Sequence, residues 1–298
     1  MSSAVIIANP KAGGGKARGI AESSARTLND LGIDTRLVLP ATLEAMRTEV
    51  TEACERRSAA VIACGGDGTV HQVLQGAAEY GLTMSVIPAG TGNDIARSLG
   101  IKAKERSAWL RHLANLVRSG AESRVDLSLI THSDRRIWSL GVISAGFDSA
   151  VNERADRLTR LSGTPRYVAA LLAELSAFRM HDYDVTIDGE EMSGRALLIA
   201  VGNGESYGGG MRICPSADMS DGLLDVTWID TAPRRTVLRV FPRIFTGRHV
   251  DHPLVHTFRG REIAISSKGS VLYADGERIG EPPVRIHVVP GALSVLRP

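Results

Sequence analysis

The chain has 298 residues, long for one domain and comfortable for two. Its apolar fraction of 43% is that of an ordinary globular protein, and a net charge of +2 provides no bulk field that would draw nucleic acid. Three cysteines (Cys54, Cys64, Cys214) without a CxxC pair argue against a disulfide framework or a cysteine metal cluster and fit a reducing cytoplasm. No basic leader precedes the first apolar run, and no run approaches the ~20 residues that span a bilayer. The expectation is a cytoplasmic protein whose membrane contact is peripheral.

The first third alternates short apolar runs with helical spacing. Ala4–Ala8 reads as a strand ended by Asn9-Pro10, and Lys16 to Leu31 as a helix closed by Gly32. Thr35–Leu39 is a second strand stopped by Pro40, and Leu43 to Arg57 a second helix. Ala59–Cys64 is a third strand, Val70–Ala78 has helical spacing, and Met84–Pro88 is a fourth strand. This rhythm predicts a doubly wound, mostly parallel α/β sheet. After a helix from Lys104 to Ser119, strands dominate: Arg124–Leu129, Ile137 to Ala145, Tyr183 to Ile187, Ala196 to Val201, Leu223 to Ile229 and short runs from Val255 to Leu296. Helical interludes fall at Pro165 to Phe178 and Arg234 to Phe245. The boundaries drawn are 1–125 for an α/β nucleotide domain and 126–298 for an antiparallel β-rich domain, with the extreme C-terminus free to pack back on the first. A cleft between two domains is the default ligand site.

The chemistry concentrates in the turns. Gly65-Gly66-Asp67-Gly68-Thr69 lies where the third strand becomes a helix. Glycine permits close backbone approach, and a helix start offers free N–H groups to phosphate. Asp67 would repel phosphates unless a cation intervened, which points to Mg²⁺-nucleotide; otherwise it is a helix cap. Asn9-Pro10-Lys11-Ala12-Gly13-Gly14-Gly15-Lys16 is a second glycine turn, neither a Walker A loop, since Ala17 follows the lysine, nor GxGxxG. Ala89-Gly90-Thr91-Gly92-Asn93-Asp94 is a third. All three follow strands expected to be parallel, so they should share one sheet edge.

Three later segments carry charge. Tyr273-Ala274-Asp275-Gly276-Glu277 reads as an Asp-Gly hairpin or as a carboxylate pair able to take a proton from a hydroxyl. Asp218 and Asp221, in Pro215–Asp225, could share a hard cation or merely edge a surface turn. In Arg234–Phe245, Arg235, Arg239 and Arg243 recur every four residues, with Val237, Leu238, Phe241, Ile244 and Phe245 on the other side. That pattern fits either a surface helix packed on the core or one that touches an anionic membrane.

Taken in order, Asn9-Pro10-x-x-Gly13, Gly65–Thr69, Gly90–Asp94, Asp221–Asp225 and Asp275–Glu277 resemble the diacylglycerol kinase catalytic family, in particular soluble bacterial lipid kinases related to sphingosine and ceramide kinases. The resemblance runs from Ala4 to Leu296; the Gly-Gly-Asp-Gly motif alone is shared with NAD kinases and, more loosely, phosphofructokinases. It implies a nucleotide domain followed by a β-sandwich-like domain with the active site in the cleft. It implies that Asn9, Pro10, Lys11, Ala12, Gly13, Thr42, Gly66, Asp67, Gly68, Thr69, Val70, His71, Gln72 and Thr91 contact ATP. Asp67 would help hold the Mg²⁺-phosphate assembly, and Glu277 would accept the proton with Asp275 beside it. Asp218, Asp221 and the Leu223 carbonyl match a Mg²⁺ site in the second domain, and Asp94 and Asp126 a charged network. His71-Gln72 stands where the family often has Asn-Glu, and Thr164 where it often has lysine, with Arg166 nearby.

The expected function is ATP-dependent phosphorylation of a lipid hydroxyl at a membrane surface, diacylglycerol to phosphatidic acid foremost. The alternatives are a sphingoid or polyprenol acceptor, a soluble alcohol such as NAD, and a nucleotide- or lipid-binding regulator without turnover. A dehydrogenase is disfavoured by the missing GxGxxG. A nucleic-acid partner is not expected, and the oligomeric state, a homodimer included, stays open.

Overall fold

The computed structural model describes residues 3–146 and 180–298. The helix expected at Pro165 to Phe178, and Thr164 and Arg166, lie outside the described residues. The chain divides into two compact units, Met1–Leu127 with Pro290–Pro298, and Ser128–Val289.

In the first unit, β1 (Ser3–Ala8), α1 (Lys16–Asp30), β2 (Asp34–Val38), α2 (Leu43–Glu55), β3 (Ala60–Gly65), α3 (Asp67–Tyr80), β4 (Met84–Pro88), α4 (Asp94–Ser98) and α5 (Arg106–Ser119) follow in order. The strands pair in parallel in the order β4-β3-β1-β2. β3 and β4 are buried at every position, as expected of strands covered on both faces. Ile6, Ile7 and Ile62 are wholly buried, each contributing about 1.5–3 kcal/mol relative to exposure. α1 packs with α5 and α2 with α3. The Thr42 hydroxyl caps α2 by accepting from Ala45 N at 3.1 Å, and α3 ends on left-handed Gly81, whose N–H donates to Ala77 O. β1 lies between β2 and β3, so the strand order reverses there, and ligands bind at the carboxyl ends of strands at such a point.

Two strands run from one unit into the other, β5 (Ser123–His132) and β15 (Val284–Val295). The end of β15 returns to the first unit beside β4, where Val295 pairs with Met84 and Ser85 Oγ donates to Leu296 O at 2.9 Å.

The second unit is antiparallel and sandwich-like. It contains β6 (Arg135–Ser139), β7 (Val142–Gly146), β8 (His181–Ile187), β9 (Glu190–Gly202), β10 (Leu224–Asp230), α6 (Arg234–Ile244), β11 (Val255–Gly260), β12 (Glu262–Ser267), β13 (Leu272–Ala274) and β14 (Glu277–Gly280). β9 is long enough to pair β8 with its first half and β7 with its second, while β10 lines its other edge. Its core includes Tyr183 set edge-on to Trp228 at 6.3 Å. The single strand expected over Ile137 to Ala145 is two strands, β6 and β7. The break at Leu140-Gly141 has a cause: both N–H groups donate to the Asp275 carboxylate instead of to a ladder.

Candidate active site

The three glycine turns of the first unit converge. β1, β3 and β4 end level, with Ala8 beside Cys64 and Gly65 beside Pro88. Ala89 N donates to Gly65 O at 2.8 Å, tying the third turn to the second. A Cβ on Gly90 would stand 2.3 Å from Gly66 Cα, and one on Gly13 would stand 2.2 Å from Ala89 O. Only glycine permits these approaches, and Gly13 also adopts φ 58°. Asn9 stiffens the first turn, its Oδ1 accepting from Lys11 N at 3.0 Å and its carbonyl from Ala12 N at 3.0 Å. Asn93 closes the third, its Oδ1 accepting from Gly90 N at 2.9 Å and its Nδ2 donating to Gly90 O at 2.8 Å.

Asp67 is the first residue of α3 and half-buried. Its Oδ1 accepts from Ile95 N in the first turn of α4 at 3.0 Å. The cap reading is therefore right in part, but the helix capped is α4, across from the turn that bears the residue. The Thr69 and Val70 N–H groups return to Gly66 O, at 2.9 and 3.1 Å. Val70 and His71 are buried within α3. The Gln72 Oε1 is buried without a hydrogen-bond partner among the described residues. Gly68 is half-buried, and Thr91 and Lys11 are exposed beside the glycines, with Pro10 and Ala12 half-buried. Thr42 also follows a strand of this sheet, although its hydroxyl is engaged as the α2 cap. The glycine turns packed together at Gly66 and Gly90, with the Asp67 carboxylate and the unpartnered Gln72 amide oxygen close in sequence, have donors and acceptors of the kind a Mg²⁺-nucleotide needs: Mg²⁺ takes few protein carboxylates and uses phosphate oxygens for the rest.

Asp94 and Asp126 are both buried. Asp94 pairs with Arg97, and Asp126 Oδ1 accepts from Gly291 N at 2.7 Å.

In the second unit, Asp275 and Glu277 lie two residues apart but differ in what they contact. Asp275-Gly276 forms the two-residue turn between β13 and β14, with φ 53° and 85°, the geometry Asp-Gly favours in hairpins. Asp275 is 5% exposed, and its carboxylate accepts from Ser139 Oγ (3.0 Å), Leu140 N (3.3 Å) and Gly141 N (2.8 Å). It therefore anchors the β6–β7 connection. Glu277 is half-buried, and among the described residues no hydrogen bond or ion pair engages its carboxylate.

The acidic turn is organised by an arginine that sequence reasoning missed. Asp218 Oδ1 accepts from Ser220 N at 3.0 Å and Ser220 Oγ at 2.7 Å; Asp221 Oδ1 accepts from Leu223 N at 3.0 Å. Asp221 also pairs with Arg259, whose Nε donates to Asp225 Oδ2 at 3.2 Å. Burial pushes the Asp225 carboxyl upward, and the Arg259 charge opposes that shift. Among the described residues no three His, Cys, Asp or Glu side chains gather as a metal centre. A cation at Asp218, Asp221 and the Leu223 carbonyl would have to displace the guanidinium, so these residues as they stand do not fit one. The signal was in the pairing of β10 with β11, which sets Asp225 opposite Arg259, and pairing is not readable from local spacing.

A narrow apolar pocket, partly open to solvent, lies under α6 and is lined by Leu198, Met211, Ile229, Val237, Phe241 and Leu254 among others. The sequence gives no separate sign of it, because its lining has core composition. Cys64 and Cys214 are buried thiols pushed up to about 12, inert as nucleophiles. No helix among the described residues is long and apolar enough to cross a membrane.

Comparison with known proteins agrees with this anatomy. Residues 3–130 match the family model described as Diacylglycerol kinase catalytic domain, and residues 141–297 that described as YegS C-terminal NAD kinase beta sandwich-like domain. A protein of Mycobacterium tuberculosis named "Diacylglycerol kinase" is 39% identical over 98% of this chain and 94% of its own length. One of Stenotrophomonas maltophilia named "Probable lipid kinase YegS-like" is 28% identical over 84% of this chain and 82% of its own. A solved structure of a diacylglycerol kinase from Bacillus anthracis str. Sterne shares the fold at TM-score 0.74 and 18% identity, covering 100% of this chain and 97% of that one. With two family models accounting for nearly its whole length and a relative 39% identical end to end, the chain belongs to the diacylglycerol kinase catalytic family.

Proposed function

We propose that the protein transfers the γ-phosphoryl group of ATP to a lipid hydroxyl, with diacylglycerol as acceptor and phosphatidic acid as product. The observation that carries this reading is the convergence of three glycine turns at the carboxyl ends of β1, β3 and β4, with Asp67 at the start of α3. Phosphoryl transfer demands positioning and charge neutralisation more than covalent chemistry. The turn backbones of Asn9–Gly13 and Gly66–Thr69, with Thr91, Gln72 and Thr42 around them, bind and orient the phosphates and the nucleoside. Asp67 would hold Mg²⁺, which when bound would supply Lewis-acid charge to the transferring group. Glu277 accepts the hydroxyl proton as the new P–O bond forms and the bond from the γ-phosphorus to the bridging oxygen breaks, releasing ADP, and Asp275 fixes the hairpin that presents Glu277.

The apolar pocket supports a lipid acceptor over a soluble one. An alkyl chain matches its lining, whereas a dinucleotide would leave polar groups unpaired there. The test is purified protein with radiolabelled ATP and Mg²⁺, offered diacylglycerol, a sphingoid base, a polyprenol and NAD in parallel. Label in the organic phase with diacylglycerol supports the reading. Label confined to the aqueous phase with NAD sinks it, and ATP binding without any labelled product favours a regulator.

A further inference from the structure

The outer face of α6 is not absorbed by this account. Val237, Val240 and Ile244 turn inward, but Leu238 is 54% and Phe245 48% exposed. Spacing sets both opposite the arginines, and the structure leaves them outside the core. A third exposed apolar side chain, Met180, lines a shallow recess with Pro233 and Arg234 at the start of the helix. Around these stand Arg235, Arg239, Arg243 and, just beyond, Arg248, all exposed and none held in an ion pair among the described residues. From Thr231 to Val250 the chain has five arginines and no carboxylate, although the whole chain nets only +2, so the remainder is net negative. The flanking Asp230 pairs with His256 at 2.9 Å, and Asp251 is exposed.

Arginines free of ion pairs, interleaved with exposed leucine and phenylalanine, match an interface with negative headgroups above and acyl chains below. A nucleic acid would use the charges and leave the apolar residues idle; a purely apolar partner would leave the arginines desolvated. The inner face of the same helix walls the apolar pocket. We propose that the outer face of α6, with Met180 at its start, is a docking surface for an anionic phospholipid bilayer. The choice of occupant rests on the lipid-kinase reading; the surface itself does not.

The test is cosedimentation of the full chain, without nucleotide, with phosphatidylcholine vesicles either pure or doped with phosphatidylserine. In parallel, phosphorylation of a water-soluble short-chain diacylglycerol is measured without vesicles. Wild type should bind the doped vesicles, more weakly as salt rises, and bind the pure ones little. Each arginine near an anionic surface strengthens binding about fivefold, so Arg235→Ala/Arg239→Ala/Arg243→Ala should weaken it about 100-fold. Leu238→Ser should weaken it several-fold at all salt concentrations. Both variants should keep wild-type melting and wild-type turnover of the short-chain acceptor. Equal binding by wild type and the triple variant, or no wild-type binding, overturns the docking surface even if short-chain turnover is intact. Vesicle binding with no turnover of any acceptor supports the surface and removes the kinase reading alone.

Discussion

Replacing Gly90 with alanine attacks the convergence of the turns directly. The new Cβ would lie 2.3 Å from Gly66 Cα and 3.0 Å from Gly66 N. Carbon–carbon contacts are comfortable from ~3.5 Å, so the two turns must separate by about 1 Å. The obstructing atoms are backbone, and both turns are tied down by the Ala89–Gly65 and Gly90–Asn93 hydrogen bonds. Overpacking of this kind costs about 1–3 kcal/mol, a drop of about 5 °C in Tm. A misplacement of about 1 Å in positioning groups costs on the order of 100-fold in rate. The assay is steady-state kcat/KM for ATP beside a thermal melt. Gly19→Ala is the control: Gly19 lies in α1 with open space around its Cβ position, and alanine there should add about 0.5–1 kcal/mol without touching turnover. A folded Gly90→Ala enzyme with wild-type kcat/KM would refute the idea that the approach of these turns builds the nucleotide site.

Four further outcomes are expected. Glu277→Gln should leave the melt unchanged and lower kcat by about 100-fold or more, whereas Asp275→Ala should cost about 3 kcal/mol of stability by stranding the Leu140 and Gly141 N–H groups; equal melting of the two variants would undo this division of labour. Arg259→Met should destabilise by about 2 kcal/mol at neutral pH. The Asp225 carboxyl is already raised by burial, so its folded form binds more protons than its unfolded form and its contribution falls as pH rises through the folded value; removing Arg259 raises it further, and the loss should shrink toward pH 4, as melts across pH will show. Because Arg259 neutralises the acidic turn, chelating divalent cations should leave the apo protein's Tm unmoved, and a fall would reinstate a cation at Asp218 and Asp221. Ala232→Leu, which intrudes on the apolar pocket, should raise KM for long-chain but not short-chain diacylglycerol.

Local chemistry made the first unit legible. Runs such as Ala60–Cys64 are uniformly apolar because parallel strands are buried on both faces, and their ends carry the glycines a ligand turn needs. The Asp275-Gly276 turn was legible for the same reason, since both positions require positive φ. What escaped depends on residues far apart in sequence. Asp275 meets Gly141 from 134 residues away, and the bonds it accepts from Leu140 and Gly141 split an apparently continuous strand into β6 and β7. Arg259 meets Asp221 from 38 residues away. The periodicity of Arg234–Phe245 revealed a helix and its apolar side, but not which of those apolar residues reach the core; that follows from the inward packing of Val237, Val240 and Ile244.

The most direct test of the central claim is transfer of label from γ-radiolabelled ATP to diacylglycerol, comparing wild type with Asp67→Asn. Asparagine keeps an oxygen for the Ile95 N–H but removes the charge that would hold Mg²⁺. The account predicts Mg²⁺-dependent, organic-phase product from wild type, and at least a ~100-fold loss in a variant with the same melting curve. Wild type that labels no lipid, or Asp67→Asn that labels it at the wild-type rate, would contradict it.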